Sequence, residues 1–307
     1  MKIGFNIDTN VVDSNTGKLK FVIRLSEELR KREVKIDNKN PDIFLGLPKY
    51  KFSSKAKINV LRLDGITLNT HKKIYNSRIK SLLKLIKKSD AIIYQSNFCK
   101  EAHNKFLGVN DDKPFKIIFN GANPDEFLPR KPKNYFLAVA KWRECKRLKT
   151  IVESFLIALN MGLDSDLFIA GDPDYIVDHT RIKYLKWQNR EQIKKLLSEA
   201  IASLHLTWLD WCPNSMVESL IAGCPVIYTK SGGHIELVGN SGIGVEGVAW
   251  DFKAFNNNVP PDIDIKEVAL VMIEIKNKNM KIRERKDLHI SSICDQYLSF
   301  FKELLER

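Results

Sequence analysis

The chain has 307 residues, 44% of them apolar and 28% charged, with five cysteines and a net charge of +13. That length exceeds one ordinary core and points to two domains of about 150 residues each. No apolar run approaches the roughly 18 residues of a membrane span. Asp8 comes too early for a leader sequence, and an odd number of cysteines without a C-x-x-C pair argues for reduced thiols, a cytosolic setting and no zinc cage.

In chain order, residues 2–7, 41–47, 58–63, 91–96 and 116–121 read as buried strands. They are short apolar runs rich in Ile, Val and Phe, bounded by turn residues. Between them, 18–32, 76–90 and 97–107 carry apolar residues at helical spacing. The segment 128–134, LPRKPKN, has two prolines and three cations and is the linker candidate. Alternation then restarts. Strands are expected at 135–141, 166–172, 182–187, 202–208 and 225–230, and helices near 147–160, 189–200, 214–222 and 265–276. Asn189-x-x-Gln192 has the form of a capping box. Residues 286–307 form a long amphipathic helix. The expected architecture is α/β: two doubly wound, Rossmann-like domains facing a cleft, over 1–130 and 131–285, with helix 286–307 returning to the first.

Ligands in such sheets bind outside the carboxyl ends of the strands. One such end reads DWCPNSMVESLIAGCPVIYTKSGG, from Asp210 to Gly233. Pro213 ends the strand and suits a helix entry, and the first turn of that helix offers free N–H groups to an anion such as a diphosphate. Asp210 and Glu218 flank it as acceptors for sugar hydroxyls. Taken alone, the pattern favours a plainer reading, in which Ser215-x-x-Glu218 is a capping box and Asp210 a turn residue. Two further clusters fall at the same sheet edge. Lys141, Arg143, Lys146 and Arg147 follow the strand 135–141, where cations neutralise a diphosphate or simply solvate a loop. Gly232 and Gly233 stand between a strand and a helix, where backbone can approach a ligand closely.

Together these pieces resemble the retaining glycosyltransferases of family 4, which have the GT-B fold. Lys141 and Lys146 stand at that family's Arg and Lys positions, and Asp210 and Glu218 at the two acids of its E-x7-E motif. LIAGCPVIYTKSGGHIELV is similar to its small-residue helix, Pro-led strand and Gly-Gly turn, and residues 96–127 to the stretch closing its N-terminal domain. Lys replaces Arg at 141, Asp replaces Glu at 210, and Trp211-Cys212-Pro213-Asn214 replaces a Gly-Phe-Gly turn. The resemblance implies a metal-independent hexosyltransferase with no cofactor beyond its donor, a UDP- or GDP-linked sugar. Lys141, Lys146 and Arg143 would stabilise the leaving diphosphate, and Glu218 would hold the ribose. Asp210 and the backbone of Cys212, Asn214 and Ser215 would hold the sugar beside Gly232 and Gly233. His71 and the 62–66 stretch RLDGI fall on the acceptor side, for a glycan, lipid or protein. GDPD (171–174) reads as a turn, not a metal motif.

Other readings compete: a sugar-nucleotide epimerase on the same fold, or a basic nucleic-acid- or membrane-binding protein on an inactive version of it. The charge bears on the second. Residues 1–100 hold 22 Lys+Arg against 9 Asp+Glu, and the remainder is neutral. This suits either an anionic partner or lysines that merely solvate helix faces. The anionic partners open to it are nucleic acid, a phosphorylated acceptor and a phospholipid surface. No nucleic-acid module is recognisable there, and the basic amphipathic helix 76–88 suits charge-driven adsorption on an anionic membrane without insertion, with the protein cytoplasmic and peripheral on its face.

Overall fold

The computed structural model describes residues 1–7, 17–48, 52–53, 55–66, 72–110, 112–253 and 259–307. His71 and the loop before Gly17 lie outside these. The chain divides into two compact units, one of Met1–Asn123 with Asp287–Arg307 and one of Pro124–Lys286.

The first unit runs β1 (Lys2–Phe5), α1 (Gly17–Lys31), β2 (Lys35–Ile36), β3 (Ile43–Gly46), β4 (Ile58–Leu63), α2 (Lys72–Lys88), β5 (Ala91–Tyr94), α3 (Asn97–Leu107) and β6 (Phe115–Ile117). Its sheet is parallel, in the order β2-β1-β3-β4-β5-β6. Local chemistry sets its boundaries. Ser96 caps α3 by accepting from the Cys99 N–H, and Gly108 closes that helix in the left-handed conformation. Between β1 and β3 the Asn6 amide mimics a strand, donating to Leu47 O at 3.0 Å and accepting from Leu47 N at 3.2 Å.

The second unit runs β7 (Tyr135–Val139), α4 (Leu148–Asn160), β8 (Asp166–Ala170), β9 (Ile182–Tyr184), α5 (Arg190–Glu199), β10 (Ser203–His205), α6 (Asn214–Ile221), β11 (Val226–Thr229), α7 (His234–Val238), β12 (Gly242–Val245) and α8 (Ile265–Lys278). The sheet order is β12-β11-β10-β7-β8-β9, again parallel. The capping box at the start of α5 is present in both directions, Asn189 to Gln192 and back. Residues 128–134 are bonded into this unit. Arg130 donates to Leu197 O at 2.7 Å, and the Lys131 and Lys133 N–H groups donate to Ser198 and Glu199 carbonyls. The passage between units therefore falls earlier, at Asn123–Pro124.

The final helix, α9 (Ile290–Glu306), belongs to the first unit. It buries Ile290, Ile293, Cys294, Tyr297, Phe300, Phe301 and Leu304 against Phe21, Val22, Leu25 and Leu29 of α1. The spacing is that of one helical face, and each large side chain so buried contributes about 1.5–3 kcal/mol. Backbone bonds fasten its start: Ala122 N to Leu288 O at 3.2 Å and Ile290 N to Ala122 O at 2.9 Å. A buried cation fastens its middle. Arg62, 1% exposed, donates from Nε to the Tyr297 hydroxyl at 3.0 Å. It also bonds Asn120, pairs with Asp64, and lies 4.2 Å from the centroid of the Phe21 ring. Of the acceptor-side stretch 62–66, Arg62 is thus consumed by packing.

Candidate active site

In the second sheet the chain runs from β7 outward to β8 and β9, then returns to lay β10 on the other side of β7. The loops after β7 and β10 therefore meet at the point where strand order reverses, which is where open α/β sheets hold ligands.

After β7, Lys141 and Arg143 are exposed, and a single 3-10 turn spans Glu144–Lys146. Two buried side chains hold this loop in place. Trp142 donates from Nε1 to Ala170 O at 3.0 Å. Arg147, in the left-handed region at φ +58°, donates to Leu206 O at 2.8 Å and to Pro261 O at 2.5 Å. Burial lowers the Arg147 pKa to about 10 against the opposing charge of Asp262. Arg147 is thus a strut rather than a free cation. Lys146 points the other way, and its ammonium donates to Asp210 Oδ2 at 3.0 Å, with both side chains 20% exposed.

Asp210 follows β10 directly after Leu209, whose φ of +55° is strained for a leucine. Its other oxygen accepts from the Trp211 N–H at 2.9 Å. Burial alone would raise its pKa. The Lys146 ammonium and these hydrogen bonds outweigh burial and hold the carboxyl below its ordinary value. Asp210 is therefore a permanent acceptor at neutral pH.

The helix beyond it starts earlier than a capping box requires. Pro213 is the N-cap, without a side-chain cap bond, and both Met216 N and Val217 N donate to its carbonyl at 3.1 Å. Asn214 and Ser215 are the first and second helical residues and Glu218 is the fifth. The capping reading of Ser215-x-x-Glu218 fails for that reason, since the box pairs the N-cap with the third helical residue. Glu218, Ser215 and His205 instead line a crevice that extends to Val139, Ile193 and Leu197. Cys212 is buried in the turn.

The glycine pair closes the site from below. Gly233 N donates to Asp210 O at 2.8 Å, and Gly232 sits at φ +64°. A Cβ on Gly232 would lie 2.6 Å from Asp210 O, so the glycines admit the main chain of Asp210 itself. Lys146, Asp210, Gly232 and Gly233 are thus brought into contact, with Ser215 and Glu218 on the adjoining crevice.

Two buried histidines lie behind this arrangement. His205 Nε2 sits 3.1 Å from the Ser203 hydroxyl and 3.2 Å from that of Ser219, and His234 Nδ1 sits 3.3 Å from Thr229 O. Burial pushes their pKa values down to about 3 and about 4, and that of His103 in α3 to about 4. Each is neutral when folded and has an ordinary value of 6.5 when exposed. The unfolded chain therefore takes up protons first. Stability is full above pH 6.5 and lost progressively as pH falls towards 4. Chemical denaturation midpoints should drop across that window. A flat profile there would mean that the three rings are not buried.

One further group at this edge carries no motif. Trp187, after β9, is 65% exposed on a pinned backbone, where Gly171 N donates to Lys186 O at 2.7 Å and the Gln188 side chain bonds Leu185 O and Trp187 O. The only cue in the sequence is a tryptophan in the polar run KWQNR just ahead of the capping box.

No family model matches the chain, and no curated protein matches its sequence. Solved structures do match along the whole chain. Sucrose-phosphate synthase from Thermosynechococcus elongatus superposes with a TM-score of 0.69 at 13% identity, covering 99% of each chain. The fold is GT-B. Anabaena Alr3699/HepE, solved with UDP and glucose, gives 0.63 at 13% identity over 99% of this chain and 100% of its own. A glycosyltransferase from Rickettsia africae gives 0.63 at 16% identity over 98% of this GT-B chain and 85% of its own.

Proposed function

We propose that this GT-B protein is a retaining, metal-independent hexosyltransferase of glycosyltransferase family 4. It takes a UDP- or GDP-linked sugar as donor and a glycan, lipid or protein as acceptor. The observation that carries this reading is the Lys146–Asp210 pair at the β7/β10 switch point, beside the start of α6 at Pro213. A diphosphate seated on that helix start meets the Lys146 ammonium, with Lys141 and Arg143 on the same loop. Charge grows on the leaving phosphate as the glycosidic bond breaks, and fixed cations stabilise that growth more than the ground state. Asp210, deprotonated, accepts from a sugar hydroxyl beside the N–H groups of the 211–215 turn. Glu218 accepts from the ribose, and the exposed ring of Trp187 stacks on the base. No side chain is assigned as nucleophile. Five buried cysteines that form no disulfide suit a reducing cytoplasm, and among the described residues no helix is long and apolar enough to cross a membrane.

A panel of nucleotide sugars, scored by thermal shift and by hydrolysis, tests this. At a hundredfold excess over Kd the true donor stabilises the fold by about 2.7 kcal/mol, which raises Tm by several degrees. Glu218→Gln and Trp187→Ala should each remove most of that rise while leaving the unliganded Tm in place. Transfer should survive excess chelator. A parent protein that responds to no nucleotide sugar would overturn the assignment, and activity restored only by a divalent ion would overturn its metal independence.

A further inference from the structure

Helix α2 carries seven cations and no acid in its 17 residues. Leu82 and Ile86 are buried, so the apolar row faces the sheet of its own unit. Arg78, Lys80, Lys84, Lys87 and Lys88 are all exposed. At 3.6 residues per turn, the four lysines fall within about 100° of arc opposite the buried row, along roughly 12 Å of helix. Elsewhere on the chain exposed lysines find carboxylates, as Lys57 finds Asp42 at 2.8 Å and Lys133 finds Glu199 at 2.9 Å. None of these five side chains has a carboxylate partner among the described residues. Their positive field is left uncancelled.

Two exposed apolar side chains lie near this face. Leu83, at 37% exposure, borders the lysine arc. At the carboxyl end of the helix, Lys113 donates to the carbonyls of Lys87 and Ser89. Two residues further on, Phe115 is 39% exposed on the edge strand β6, with the Lys100 ammonium 4.7 Å from its ring centroid.

We infer that the outer face of α2 docks on an anionic phospholipid surface. The lysines lie among the headgroups, and Leu83 and Phe115 lie at their level. A cluster of cations with no carboxylate partner among the described residues, edged by isolated apolar side chains, fits such an interface. A nucleic acid would be gripped through phosphates together with a run of stacked bases, and beside these cations the described surface offers the lone ring of Phe115, already covered by Lys100. Insertion is ruled out by the same packing, since the apolar row is already buried. This goes beyond the donor reaction and does not depend on it.

Sedimentation with phosphatidylcholine vesicles, with and without phosphatidylserine, tests the inference on the full chain. Binding is expected only with phosphatidylserine and should fade as salt rises. Each cation near such a surface is worth about a fivefold gain in partition. Joint replacement of Lys80, Lys84, Lys87 and Lys88 by Gln should therefore cut binding more than tenfold. The melting temperature should hold, because these side chains make no carboxylate contact that the fold loses. Equal binding to both vesicles, binding to neither, or full retention by the variant overturns the inference. So does duplex DNA that strips the protein from the vesicles at equal phosphate.

Discussion

Replacing Lys146 by alanine should lower kcat/KM for sugar transfer by a hundredfold to a thousandfold. That is the usual cost of deleting one group aimed at charge developing in a transition state. The loss should appear in kcat as well as KM, because the ammonium interacts more strongly with the departing diphosphate than with the bound donor. Asp210→Asn should be comparably damaging for a different reason. It neutralises the carboxylate, turns one of its two acceptor oxygens into a donor, and takes from Lys146 the 3.0 Å ion pair that aims it. The two side chains touch, so the double variant should cost clearly less than the sum of the singles. Steady-state kinetics on the four proteins decides the matter. If either single variant keeps more than a tenth of parental kcat/KM, the pair is not the centre of the reaction.

The largest effect on stability should come from Arg62→Met. Arg62 holds Asp64, Asn120, Tyr297 and the Phe21 ring together inside the first unit. Removing it takes one partner out of a buried ion pair, a change that typically costs about 3–5 kcal/mol. For a fold with about 5–15 kcal/mol in hand, urea denaturation should begin markedly earlier, led by probes in α9 and β4. Asp64→Asn in the same background should recover part of the loss, because it removes the other charge of the broken pair. An unchanged unfolding midpoint for the single variant would show that the cluster contributes nothing net.

Much of this architecture is legible in the residues. The long apolar strands and the helices with a clear period appear where their patterns place them, as with 97–107 and the final helix. The strands β2 and β12 leave no such trace. β2 has two residues, and β12 reads GIGV because a side chain at Gly242 would fall 2.1 Å from Val226 O. That close packing erases the apolar run that marks other strands. At the site, two sequences of the same capping form part company. Asn189 begins its helix, whereas Pro213 starts α6 two residues ahead of Ser215 and so puts Glu218 on the crevice instead of in a capping box. Nor does the sequence separate Lys146 from Arg147. Both are basic and adjacent, and only the left-handed backbone at 147 turns one inward as a strut and leaves the other beside Asp210. Arg62 hides for a related reason, as strand β4 is buried on both faces and has no alternation to flag an inward charge.

The return of α9 to the first unit has a consequence for synthesis on the ribosome. The second unit is complete once Lys286 has been made, whereas the first, begun at Met1, waits for Asp287–Arg307. At about 5–20 residues per second, the finished sheet and α1 spend about ten to forty seconds with Phe21, Val22, Leu25 and Leu29 lacking the cover of α9. The later segment is thus fully synthesised before the earlier one has received its last helix. Through that interval the nascent chain presents a sticky apolar strip, which is the kind of surface that a chaperone at the exit tunnel shields.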